Sequence, residues 1–252
     1  MASLVDAGRL GHLRDVRVSR KGFYWHEYTK ARISSVVLIV CCLYPTVAAL
    51  AQSDTFEQPH HKQQLAPELD LYCRAGTRLD ITLVSQTKLS ANLPNPEISL
   101  VGVDANVAVN KHLLISPSYY HYRFGQTHGT GRGQNLVLAA SFEKRVGRYT
   151  VGDRNRVIGF LLPGSDFWAY GNRLRVERTL GREEKRLSLF AWDELFFFSS
   201  THSWQRNRMA LGFHKGLTDR VAIEPYYLHQ IDGHIHSGEV DALGVLFKVR
   251  VH

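Results

Sequence analysis

Three groups of side chains in this 252-residue chain have the types and spacing to do chemistry. The largest is cationic. Arg173, Arg175, Arg206, Arg208, Lys248 and Arg250 fall on one alternate set of positions in three segments, with Glu177 and Glu224 on the same side. Guanidinium groups aligned in this way either pair with carboxylates or draw anions toward a constriction. The second group is His229, Asp232, His234 and His236, in which imidazole and carboxylate together would suit Zn or Ni. A solvated histidine-rich loop is the plainer reading, so no metal and no other cofactor is expected. The third group holds hydroxyls beside imidazoles: Ser199, Ser200, His202 and Ser203, and separately Ser116, Ser118 and His121. A nucleophile and a base could come from either set, but no spacing among them is diagnostic. No catalytic residue is assigned.

Two further features are discounted on physical grounds. Asp193 and Glu194 are adjacent, so on a strand they face opposite ways and cannot converge on one substrate. With Glu194 beside the arginines, Asp193 falls on the other face. The glycines 125, 129, 131 and 133 lack the lysine and the helix of a phosphate cradle, and read as a flexible loop.

The elements that must position these residues are strands. After Leu65 the hydrophobic period is close to two almost everywhere: Leu174 and Val176 alternate with Arg173, Arg175 and Glu177, and Leu243, Val245, Phe247 and Val249 alternate with Gly244, Leu246, Lys248 and Arg250. A face of arginines opposite a face of Leu and Val fits a barrel whose polar side is inside and whose apolar side meets lipid. The spacing predicts strands at about 66–73, 78–86, 97–109, 112–124, 134–144, 149–160, 167–179, 186–198, 203–214, 220–230 and 239–251. Connections alternate between tight ones and longer ones rich in Gly, Pro and His, as the two rims of an outer-membrane barrel do. Tyr, Trp and Phe near strand ends (Phe167, Trp168 and Tyr170; Phe196, Phe197, Phe198 and Trp204; Tyr226 and Tyr227; Tyr119, Tyr120 and Tyr122) suit interfacial girdles. Because a closed antiparallel barrel needs an even number of strands, an antiparallel up-and-down barrel of about twelve is expected, with ten as the alternative.

The rest of the chain is read as export apparatus. Lys30 and Arg32 precede the apolar stretch 33–47, and Ala49-Leu50-Ala51 supplies a cleavage site, so residues 30–51 read as a Sec-type signal peptide. Residues 1–29 read as an N-terminal extension from an upstream start, 52–65 as an exposed leader or first strand, and 66–252 as the barrel. Residues 1–51 carry seven Lys/Arg against three Asp/Glu, about half of the formal charge of +8. The exported part is therefore only mildly basic, and no nucleic-acid partner is expected. Cleavage would remove Cys41 and Cys42 and leave Cys73, expected to be a buried small hydrophobe that forms no disulfide.

Asp153-Arg154-Asn155-Arg156, Asn172-Arg173-Leu174-Arg175, Asp193-Glu194, Trp204-Gln205-Arg206-Asn207-Arg208 and Tyr226-Tyr227-Leu228 resemble, in order and spacing, the bacterial outer-membrane family catalogued as domain of unknown function 2490. The likeness runs from about Pro67 to Val251 and also takes in Glu68-Leu69-Asp70-Leu71-Tyr72. It implies an exported barrel in the outer membrane of a Gram-negative bacterium, porin-like in build, with no established activity. Its partners would be outer-membrane lipid and, during biogenesis, the barrel assembly machinery, which in such barrels recognises a final aromatic residue; here His252 stands in that place. The reading is a structural protein or passive pore with a basic, arginine-lined lumen that could admit a small anionic solute. An outer-membrane enzyme acting on lipid or lipopolysaccharide is the alternative.

Overall fold

A computed structural model describes residues 61–90, 96–126, 129–163, 166–181, 187–233 and 238–251. The signal-peptide reading and His234 and His236 fall outside these residues. The described chain forms eleven strands: β1 (His61–Arg74), β2 (Leu79–Ser90), β3 (Ile98–Ala108), β4 (Leu113–Gln126), β5 (Gly129–Val146), β6 (Tyr149–Leu161), β7 (Phe167–Leu180), β8 (Leu187–Phe198), β9 (Ser203–Gly216), β10 (Val221–Asp232) and β11 (Gly238–Arg250). Each overlaps one of the segments expected from the periodicity. β1 begins at His61, inside the stretch read as leader or first strand.

The strands close into one barrel in chain order. Ten neighbouring pairs are antiparallel, and the eleventh, β1 with β11, is parallel, running from His61 opposite Glu239 to Tyr72 opposite Arg250. The expected count of twelve, or ten, is thereby corrected to eleven. The even-number rule assumes that the closing pair is antiparallel; a parallel seam closes an odd number and leaves no unpaired edge.

Local chemistry explains the turns. Val146 pairs with Tyr149 around a two-residue connection, and Gly147 there takes φ 60°, a backbone region open to glycine without strain. At the opposite rim His202 has φ 53° in the connection from β8 to β9, next to an irregularity in the pairing at Phe196 and Phe197.

Side chains alternate across most of the wall, with breaks at Gln86–Lys88 of β2 and beside the bulge at the start of β9. Leu243 is 61% exposed and Leu211 55%, whereas Arg208 is 2% exposed and Glu194 is fully buried. A water-soluble barrel would show the reverse, because burying charge and wetting Leu both cost free energy. The apolar outer wall is what a hydrocarbon solvent selects. Inside, one apolar cluster joins Leu100, Tyr120, Tyr122, Ile158, Phe160 and Phe196, and another joins Phe190, Trp192, Ala210, Leu228 and Ala242. Rings lie over small residues of neighbouring strands: a Cβ at Gly244 would stand 2.0 Å from the Tyr226 ring, and one at Gly102 2.1 Å from Tyr120.

Alternation also corrects two expectations. Of the aromatic residues expected in girdles, Trp168, Tyr170, Phe197, Trp204, Tyr119 and Tyr227 face outward, and Trp168, Phe197 and Trp204 form a ring cluster with centroids 5.8 and 5.9 Å apart. Phe167, Phe196, Phe198, Tyr120, Tyr122 and Tyr226 occupy the opposite parity and pack inside. Cys73, expected to be buried, is exposed, because odd positions of β1 face outward and the apolar side of this wall is the outside.

Candidate functional site

The charged groups converge where β6, β7, β8 and β9 present their inward positions to one another. Glu194 of β8 is the hub. Arg154 Nη2 donates to its Oε1 at 2.9 Å and Arg173 Nη2 to its Oε2 at 2.6 Å. Arg156 Nη2 stands 2.6 Å from Oε1 as an ion pair, off the hydrogen-bond direction. The pairing register dictates this meeting, since Arg154 lies opposite Arg173 and Arg173 opposite Glu194. All four side chains are almost wholly withdrawn from solvent. Charges taken that far out of water persist only with close partners, and three cations on one carboxylate leave the cluster positive.

Aromatic faces carry part of that excess. The Arg173 guanidinium lies 3.8 Å from the Trp192 ring centroid and that of Arg175 4.1 Å from Phe190, both rings being inward residues of β8. Arg156 and Arg208 approach Phe196 at 5.1 and 5.4 Å. A ring face attracts a cation more strongly where water is excluded.

A second hub is Glu224 of β10. Lys248 Nζ donates to its Oε1, the His214 ring pairs with it at 2.8 Å, and Arg175 Nη2 lies 4.0 Å away. Arg175 also donates to Glu177 at 3.0 Å, and Ser188 donates to Glu177 at 2.5 Å. Toward the long-loop rim Arg206 grips Asp232 through Nε and Nη2 at 2.5 and 3.0 Å, and Arg208 donates to Gln230 at 2.8 Å. Of the cationic set expected from the sequence, Arg173, Arg175, Arg206, Arg208 and Lys248 are thus brought into one connected interior with Glu177 and Glu224. Arg250 lies at the end of β11, half-buried at the short-turn rim. Sequence reasoning missed Arg154 and Arg156 as members of the cluster, although their i, i+2 spacing puts them on the same face of β6.

The opposite wall is acidic: Glu68, Asp70 and Asp104 on β1 and β3 are buried inside, with Gln86 donating to Glu68 at 2.8 Å and Tyr120 donating to Asp104. Between the two walls, Glu68, Arg175, Phe190, Trp192, Glu224, Tyr226 and Leu246 line a cavity of about 10 Å³. That is room for about one water molecule.

The remaining candidates are separated by the wall. Asp232 points inward to Arg206, while His229 points outward and its Nδ1 pairs with Asp241 at 2.8 Å. Three residues apart on a strand means opposite faces, so these two cannot share a metal ion. Among the described residues no group of three or more His, Cys, Asp or Glu is placed to hold one. Ser116 is buried inside and donates to Asn106 at 2.7 Å, whereas His121 has the outward parity of β4. Ser199 accepts from the Trp168 amide at 2.9 Å, Ser203 donates to Thr201, and no hydrogen bond joins His202 to these serines.

The outer wall carries its own polar groups. Asn155 and Asn172 donate to Asp153 at 2.9 and 2.8 Å, and Asn207 donates to Asp193 at 2.7 Å. Asp193 is thus exposed on the outer face while its neighbour Glu194 is buried on the inner one.

The chain matches, over residues 62–239, the family described as "Protein of unknown function (DUF2490)". No curated protein shows a significant match. Among solved structures, an anion-selective porin from Comamonas acidovorans aligns at a TM-score of 0.38 and 12% identity, covering 69% of this chain and 54% of the porin. The outer-membrane protein OmpT of Vibrio cholerae aligns at a TM-score of 0.39 and 9% identity, covering 64% of this chain and 52% of OmpT. The chain spans about half the length of each of these structures.

Proposed function

We propose that this chain, which belongs to the DUF2490 family of proteins of unknown function, is an outer-membrane barrel with a structural role, whose basic lumen is held shut by its own ion pairs. The observation that carries this reading is the Glu194 hub. Three arginines that could have lined an anion path are turned onto one carboxylate, and two of them, Arg156 and Arg173, also lie over inward aromatic rings. The buried carboxylates of the opposite wall, which offer counter-charges to the same interior, support the same conclusion. Export through a signal peptide ending at Ala51 accompanies it, so the mature protein should begin at Gln52 and fractionate with outer membranes.

Planar-bilayer recording of the purified protein tests the closed lumen. The expected result is no steady conductance from the wild type, and an anion-preferring leak from Glu194→Gln, in which the arginines lose their shared partner. A steady wild-type conductance that prefers anions, with a preference that fades as salt shortens the Debye length from about 30 Å at 0.01 M to about 3 Å at 1 M, would overturn the closed reading in favour of a passive pore. Arg206→Glu with Arg208→Glu would then reverse the preference.

A further inference from the structure

Ionisable side chains on a lipid-facing wall are rare enough to count as functional candidates by default. On the outer wall Asp153 and Asp193 are engaged by neutral amides, which offer no base. Asp241 of β11 is different. Its Oδ1 accepts from the Tyr227 hydroxyl and from Nδ1 of His229, the residue directly across the β10–β11 pairing. With Nδ1–H turned to a carboxylate, the ring is held in the tautomer whose Nε2 carries the lone pair. The His229 side chain is 27% exposed, amid Met209, Leu211, Ile231 and Leu243, all of which are exposed apolar residues.

Depth adds a second argument. His229 lies three residues from the end of β10 and Asp241 three from the start of β11, both at the long-loop rim. At about 3.3 Å per residue, with strands tilted by about 40°, this places the pair roughly 8 Å below that rim. With the long-loop rim at the headgroup level, such a depth corresponds to the layer between headgroups and hydrocarbon, where the ester bonds of acyl lipids lie. A base oriented by a carboxylate, facing lipid at ester depth, supplies the proton-transfer part of acyl-ester hydrolysis.

We propose that His229, oriented by Asp241 and Tyr227, forms a lipid-facing general-base site that hydrolyses the acyl esters of membrane lipid. A water oxygen attacks the ester carbonyl carbon while His229 Nε2 takes the water proton. The tetrahedral intermediate then collapses, the bond to the alcohol oxygen breaks, and that oxygen receives the proton from Nε2. The products are a free fatty acid and a lipid with one acyl chain fewer, with no other co-reactant consumed. His229 is the catalytic residue; Asp241 and Tyr227 are positioning residues. The site rests on the membrane-spanning reading but not on whether the lumen is closed.

The test inserts the full-length protein into vesicles of phosphatidylethanolamine and phosphatidylglycerol, and in parallel into vesicles that also carry lipopolysaccharide, with released fatty acid measured by mass spectrometry. Protease protection and heat-modifiable migration on gels report insertion independently. The expected result is release in both arms where phospholipid supplies the ester, and in the lipopolysaccharide arm alone where lipopolysaccharide does. His229→Gln should lower the rate about 100-fold or more, and Asp241→Asn should lower kcat at least about tenfold with KM unchanged. An inserted wild type that releases no fatty acid above blank vesicles in either arm would overturn the site, as would His229→Gln acting at the wild-type rate. A chain that fails to insert would overturn the membrane-spanning reading and the site with it.

Discussion

Glu194 and Asp193 are consecutive residues of β8, yet one is clasped by three guanidinium groups and the other by a single Asn amide. The same contrast holds elsewhere, with Glu224 met by Lys248 and His214 inside and Asp153 met by Asn155 and Asn172 outside. What each side faces accounts for it. On the inner face a cation can be matched by carboxylates and ring faces, whereas an arginine turned to hydrocarbon near mid-depth costs about 2 to 4 kcal/mol. Neutral amides satisfy an outward carboxylate without bringing a second charge into lipid. Inner and outer polar groups therefore obey different rules on one backbone.

Substitutions at the two faces can break or sharpen that contrast. Glu194→Ala should be the most damaging, by about 3 to 5 kcal/mol, because it removes the carboxylate that three buried arginines share; urea unfolding of the inserted barrel would measure it. Leu174→Arg places a cation on the outer face beside Arg173 on the inner one, and should lose about 2 to 4 kcal/mol in the same assay. Arg173→Gln should lose less, about 1 to 3 kcal/mol, since Glu194 keeps Arg154 and Arg156. Asp193→Asn should change stability least, by about 1 kcal/mol or less, as one exposed hydrogen bond is exchanged for a neutral one. Were Leu174→Arg to leave stability unchanged in that assay, the assignment of inside and outside would have to be abandoned.

Much of the wall could be read from residue order because strand alternation is a local property. Arg173 and Leu174 declare their faces by neighbouring only each other, and the eleven segments follow from the same period. The ion-pair partners could not be read in this way. Glu194 meets Arg154 across 40 residues, through two interstrand registers that no local pattern encodes. The parallel seam was hidden for a similar reason: β1 and β11 are the most distant strands in the chain, and their relative direction depends on the total count. With His229 and Asp232, closeness in sequence was misleading, since a three-residue step crosses the wall. The histidine's actual partner, Asp241, is supplied by the next strand.

The parallel seam has a consequence for re-engineering the chain. In a wall with an even number of strands, the first and last strands end on the same rim, and a short linker can join them so that the chain may be opened elsewhere. Here His61 starts at the long-loop rim and Arg250 ends at the short-turn rim. A linker would have to run the length of the 13-residue β11. At about 3.3 Å per residue that is roughly 40 Å, or some twelve fully extended residues laid along the apolar outer wall or threaded past the inward arginines and rings. Circular permutation, generally tolerated by barrels with adjacent ends, should therefore fail in this one.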